Sequence, residues 1–110
     1  MSNIHVPHLQ TFYFLQPIGQ MVCFPPDKHR TFFAVQDTDS QVLNFWLGSE
    51  PPVDIDMWFS LGGNTARDVY TFQRGIYGPI YMTEQGGTVE GEIFVISNLA
   101  EQPAIVPLPV

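Results

Sequence analysis

Paired glycines and prolines cut this chain into short pieces, and the pieces are written in residues that favour a pleated strand. The breaks fall at Pro25-Pro26, Pro51-Pro52, Gly62-Gly63, Gly75 to Gly78-Pro79, and Gly86-Gly87. Between them lie segments dense in Phe, Tyr, Trp, Val, Ile and Thr, which suit a half-buried sheet surface. Strands are predicted near Thr11–Leu15, Ile18–Phe24, Arg30–Gln36, Gln41–Leu47, Ile55–Ser60, Asp68–Gln73, Pro79–Thr83 and Thr88–Ile96. The expected fold is therefore all-β: a β-sandwich or jelly-roll-like barrel of about eight short antiparallel strands, with extended terminal arms.

Local chemistry explains the turns. Asp37-Thr38-Asp39-Ser40 offers side chains that bond backbone amides two residues on, so Arg30–Leu47 reads as a hairpin. Glu84-Gln85-Gly86-Gly87 joins the last two strands with glycines free to take positive φ. Asn64–Arg74 stays open between strand and helix, because Asn64-Thr65 resembles a helix cap while Val69-Tyr-Thr-Phe72 favours a strand.

Alternation of apolar and polar residues fails at Phe32-Phe33, Phe45-Trp46-Leu47, Met57-Trp58-Phe59 and Phe94-Val95-Ile96. Continuous apolar runs imply strands covered on both faces, and a chain of 110 residues has few such places of its own. Some of the covering is expected from another chain.

Both ends carry spaced prolines with aliphatics between them: Pro7 beside Ile4 and Val6, then Pro103, Pro107 and Pro109 around Ile105, Val106, Leu108 and Val110. Such spacing blocks helix and central strand. Residues 1–17 are read as an N-terminal extended arm and first strand, 18–100 as the sandwich, and 101–110 as a C-terminal arm. Each arm docks either on a neighbouring subunit or as a strap over its own domain.

Charge excludes several roles. Only 14% of residues are charged, with four Lys and Arg against eleven Asp and Glu, for a net charge of −7. Soluble domains usually carry about 25%. Nucleic-acid binding needs a field of cations to displace counterions, and anionic lipid makes the same demand. Neither partner is expected, and no segment is apolar for long enough to span a membrane. No basic, apolar leader is visible at the N-terminus, so production in the cytoplasm is expected.

Signatures of catalysis are missing from the sequence: no G-x-S-x-G elbow, no phosphate-binding glycine loop with a lysine, no H-E-x-x-H. The single cysteine, Cys23, sits in an apolar run and reads as a buried thiol. His5 and His8 lie beside Pro7 with no second ligand pair, so no metal or cofactor is expected. Asp54 with Asp56, and Glu90 with Glu92, alternate on strand faces and read as solvent-facing charges that discourage edge pairing. The chain is not expected to be an enzyme. Trp46, Trp58, Tyr70 and Tyr81 present a second option, a platform for stacking sugars.

One resemblance emerges from the residues. The run Arg30-Thr-Phe-Phe-Ala-Val-Gln36, Leu47-Gly48, Leu61-Gly62-Gly63, Gly78-Pro79-Ile80-Tyr81, and Gly87-Thr88-Val89 closing on Ile93 resembles small β-sandwich virion proteins of tailed bacteriophages. It covers roughly residues 30–97 and departs from the pattern at Asp37, where those proteins usually carry Asn. The resemblance implies a structural virion role: a capsid cement or decoration protein on the outer capsid surface, bridging major capsid subunits. Its expected partners are itself, as a homotrimer by analogy with capsid three-fold positions, and the major capsid protein. The alternative is a fibre, tail or adaptor domain that binds carbohydrate or another virion protein. The candidate interface residues are Ile4, Val6, Phe12, Phe14, Trp46, Trp58, Phe59, Tyr81, Ile105, Val106 and Leu108.

Overall fold

The computed structural model describes residues 9–37, 41–61, 69–72, 76–98 and 103–109. Its described elements are strands β1 (Gln10–Gln16), β2 (Gln20–Phe24), β3 (Phe33–Asp37), β4 (Leu43–Leu47), β5 (Phe59–Leu61), β6 (Val69–Thr71), β7 (Ile80–Glu84), β8 (Gly91–Ser97) and β9 (Ala104–Pro107), with short 3-10 turns at Ile55–Met57 and Gln85–Gly87. All strand pairs are antiparallel, in a four-stranded sheet ordered β1-β8-β3-β6 and a five-stranded sheet ordered β5-β4-β7-β2-β9. The chain is an all-β sandwich. Its first eight strands follow jelly-roll topology, 1-8-3-6 facing 2-7-4-5.

That order corrects two expected hairpins. β3 and β4 lie in different sheets, so the chain crosses the sandwich between them instead of folding Arg30–Leu47 back on itself as a hairpin, and residues 38–40 of the expected turn lie outside the described residues. The Glu84–Gly87 turn also carries the chain across, between β7 and β8. Only β4 and β5 are both consecutive and paired among the described strands. A third correction concerns Ile55–Ser60, expected to be one strand. Asp54 Oδ1 accepts the Asp56 amide at 3.0 Å and caps a 3-10 turn, so Asp54 and Asp56 share no strand face. Of the ambiguous stretch 64–74, Val69–Thr71 is strand and 64–68 and 73–74 lie outside the described residues.

Alternation along β8 shows how the layers form. Ile93, Val95 and Ser97 are buried while Glu92, Phe94 and Ile96 point the other way. Facing side chains fill the space between the sheets: Val22, Phe24, Phe33, Val35, Leu43, Phe45, Ile80, Met82, Ile93 and Val95. Phenylalanine rings run through this core edge to face, from Phe12 and Phe14 onto Phe24 at 5.6 Å each, then Phe24 to Phe33 at 5.0 Å and Phe33 to Phe72 at 5.3 Å. Such contacts add roughly 0.5–1.5 kcal/mol each beyond the area they bury.

Polar side chains secure the crossings. Arg30 is fully buried, lies over the Phe33 ring, and donates to the carbonyls of Ile76, Pro25 and Gly78, tying two loops together. Asn98 Oδ1 accepts the amides of Thr31 (2.7 Å) and Phe32 (2.9 Å), and its Nδ2 donates to the His29 carbonyl at 3.2 Å. Gly87 takes φ +76°, and a Cβ there would strike the Leu108 side chain. Its carbonyl accepts the Gly19 amide at 2.7 Å, while the Gly19 carbonyl accepts the Leu108 amide at 3.0 Å. This corner docks the C-terminal stretch, and β9 pairs with β2 from Gln20↔Pro107 to Cys23↔Ala104. The bracketing prolines fit an edge strand, where missing N–H groups leave no ladder bond unmade.

Candidate functional site

A sandwich has two outer faces, and here they differ. On the five-stranded sheet, alternation turns Asn44, Thr83 and Met21 outward, yet all three are buried. Asn44 bonds Ser60 Oγ, and the Gln85 amide reaches the Val42 carbonyl at 2.7 Å, so the Gln85–Gly87 turn packs against this end. Further along, Trp46, Tyr81, Cys23 and Ala104 form one cross-strand row. Tyr81 donates to the Ser49 carbonyl at 3.1 Å. Burial pushes the Cys23 thiol above its ordinary range, and a hydrogen bond with Tyr81 opposes that shift. Burial also raises the Tyr81 phenol, helped by Cys23 and by the charge of Glu50. A protonated, sheltered thiol is a poor nucleophile.

The four-stranded sheet presents the bare face. Its outward residues meet across strands as Tyr13↔Phe94, Leu15↔Glu92, Ala34↔Ile96 and Gln36↔Val69. Tyr13 is 53% exposed, Leu15 56%, Val69 64% and Ile96 36%. The Tyr13 and Phe94 rings meet edge-on at 5.4 Å. Small Ala34 lies low between the taller Ile96 and Phe94 on one side and Val69 on the other. The result is an open groove of about 230 Å³, solvent space included, lined by Ala34, Val35, Gln36, Val69, Phe94 and Ile96. Glu92 is the charged residue of this face. Clustered apolar side chains on one face mark contact with another surface, whereas scattered ones need no explanation.

The predicted interface residues do not form one surface. Ile4 and Val6 lie outside the described residues. Phe12 and Phe14 point into the sandwich against Phe24. Trp58 is only 6% exposed and donates Nε1 to the Pro52 carbonyl at 2.9 Å, anchoring its own loop. Trp46 and Phe59 stack at 6.1 Å near the β5 edge, and the enclosed Trp46 Nε1 has no hydrogen-bond partner among the described residues. Tyr81 and Val106 face outward on the second sheet, Leu108 seals the Gly87 corner, and Ile105 is partly exposed on β9. Trp46 and Trp58 share no stacking platform.

The residues missed are Tyr13, Leu15, Ala34, Val69 and Phe94-Ile96. Their signal was in the chain: Phe12-Tyr13-Phe14-Leu15 and Phe94-Val95-Ile96 are apolar on both sides of the pleat. Among the described residues, no group of three His, Cys, Asp or Glu comes together to hold a metal ion. Comparison with known protein families, with curated proteins and with solved structures returned no match.

Proposed function

We propose that this chain is an assembly protein that docks on other protein subunits through the outer face of its four-stranded sheet. The observation that carries the reading is the bare face itself, where Tyr13, Leu15, Phe94, Ile96 and Val69 gather with Thr11, Gln36 and Thr71 as its uncharged polar positions and Glu92 as a charge. Protein interfaces are depleted of charge at their centre and enriched in aromatic residues, and Tyr13 with Phe94 fits that composition. More specifically, the protein serves as a cement or decoration protein of a tailed-phage head, bridging major capsid subunits from outside. The resemblance over residues 30–97 supports this. So does the jelly-roll topology, which capsid proteins use, although lectins and cupins use it too and fold analogy is the weaker support. A net charge of −7 favours the outer surface over the DNA-facing one.

Co-sedimentation with capsids of the virus that encodes the chain tests the reading. The parent protein is expected to pellet with capsids. Leu15→Lys and Val69→Lys, at exposed positions that leave the core alone, are expected to weaken binding at least tenfold with unchanged circular dichroism. Undiminished binding by both variants rejects the face as the docking surface.

A further inference from the structure

We infer that the edge of β1 accepts one extended segment of the protein subunit this chain docks on, laid as an added strand across from β9. The inference rests on the assembly reading for its partner and on the described strands for its site. The site is a step at one end of the sandwich. β1 faces β2, with Phe12 and Phe14 edge-on to Phe24, and β9 continues the five-stranded sheet one strand past β2. Among the described strands, none of the four-stranded sheet lies across from β9. Ile105 pairs with Val22 and so shares the inward side of that buried core residue, yet it is 40% exposed. Phe12 and Phe14 are likewise only partly buried. One strand beside β1 would cover all three.

Backbone chemistry names the kind of occupant. β1 is an outermost strand of seven residues, Gln10–Gln16, with no proline, glycine or charge. Among the described strands it pairs with β8 alone, so alternate residues turn their N–H and C=O groups outward. Another extended backbone matches those groups; main-chain bonds of this kind supply affinity, and alternate side chains supply specificity. The other outermost strands do not offer this. β5 and β6 have three residues each. On β9 the Leu108 amide bonds Gly19, so alternation turns Ile105 and Pro107 outward, and Pro107 has no N–H to give.

Width and charge narrow the partner. Strands of a sheet lie about 4.8 Å apart, and β9 overhangs by one strand. A second copy joined β1 to β1 would bring its own β2 beneath its β1, into the place that β9 already fills. A single segment meets no such obstacle. Its inward side chains would meet Phe12, Phe14 and Ile105, so aliphatic residues suit those positions. Its outward ones would join Tyr13 and Leu15 on the proposed docking face, which makes edge and face one continuous surface. Neither β1 nor β9 carries a charge, and the whole chain is net −7, so a neutral or basic segment is favoured.

The experiment is amide hydrogen exchange on the full chain, free and with a short synthetic peptide of alternating valine and threonine with a lysine at each end. In the free chain every second amide of β1 is expected to exchange at least tenfold faster than its neighbours, and the peptide is expected to slow those amides at least tenfold. The same peptide methylated on its backbone nitrogens is expected to bind at least tenfold more weakly. So is the unmethylated peptide to an Ile105→Lys variant of unchanged melting temperature. Uniformly slow exchange along β1 in the free chain overturns the inference, because residues 1–8 or a second copy then already cover the edge. So does a peptide that leaves the β1 amides fast, or binding that neither methylation nor Ile105→Lys diminishes. Capsid pelleting that leaves the β1 amides fast keeps the docking reading and removes strand addition. Slowing by the peptide in a chain that does not pellet keeps the strand site and removes the capsid reading.

Discussion

Replacing Arg30 by Met keeps much of the volume and removes every donor, so it tests whether a buried guanidinium holds the loops of this sandwich. Arg30 has no exposed surface and donates to three carbonyls, with Nη1 to Pro25 at 3.1 Å and Nη2 to Gly78 at 2.5 Å. The third, on Ile76, accepts from Nε. Hydrogen bonds to a charged group contribute about 1.5–3 kcal/mol each, and a buried group left unpaired costs about 1–3 kcal/mol. Water entering at the Pro25 and Gly78 ends recovers part of that, since both bonds lie only partly buried. The substitution leaves neutral carbonyls and no stranded charge, so three such bonds less that recovery give an expected loss of about 3–5 kcal/mol. Domains of this size are stable by about 5–15 kcal/mol, so Arg30→Met stays folded but weak, with a melting temperature lower by roughly 12–20 °C. Urea unfolding followed by tryptophan fluorescence measures the difference directly. Arg30→Lys, whose ammonium cannot span three acceptors in fork geometry, is expected to fall between parent and Met variant. A Met variant within about 0.5 kcal/mol of the parent, well under one such bond, refutes the reasoning, because the carbonyls would then depend on something else.

The remaining predictions concern neighbouring devices. Gly91→Ala places a Cβ on the carboxyl group of buried Glu84, so a loss of about 1–3 kcal/mol is expected; adding Glu84→Ala should recover most of it in a double-mutant cycle, and additive losses would show no contact. Asn98→Ala removes the acceptor for the Thr31 and Phe32 amides, with an expected loss of about 2 kcal/mol and faster hydrogen exchange at those two amides; unchanged exchange there contradicts the bonding. Cys23 and Tyr81 both hold their protons above their ordinary range, chiefly through burial. The unfolded chain therefore loses protons first, and stability should fall as pH rises past the ordinary thiol value of about 8.5; urea midpoints measured from neutral to alkaline pH that stay level would contradict this.

Strand positions were legible because the signals for them are local. Gly86-Gly87 and Pro51-Pro52 stop strands wherever they fall, and Val, Phe and Tyr between such stops prefer the pleat. Sheet membership was not legible. A turn such as Asp37–Ser40 shows that the chain reverses, but a return beside the same strand and a return in the opposite layer use similar turn residues. Asp54 and Asp56 mimicked strand alternation because a capped 3-10 turn also places acidic residues two apart. The cue against a strand was Asp54 three residues after Pro51, in a capping position. Arg30 looked like the polar start of a strand, since its acceptors come from residues 25, 76 and 78 and no local pattern brings them together. For the candidate site, tryptophan was a misleading guide: Trp58 spends its indole on Pro52, while the exposed face is built from Tyr13, Leu15, Val69 and Ile96.

The scarcity of charge becomes sharper once the fold is known. Of the fifteen charged residues, Arg30 and Glu84 have no exposed surface, so even fewer charges than the sequence suggests can reach solvent. Asp27, Glu50, Asp54 and Asp56 sit in turns and loops outside the strands of the bare face, while Glu90 directly precedes β8 and Asp37 ends β3. That face therefore combines apolar area with little of the negative field that keeps copies of an acidic protein apart. Elsewhere on the surface, a net charge of −7 opposes contact between copies. The edge at β9 opposes it too, because Pro107 cannot donate to an added strand. Docking as proposed would use side chains of that face; the β9 edge is closed to strand addition by its proline, whereas the β1 edge, seven residues without proline, is not.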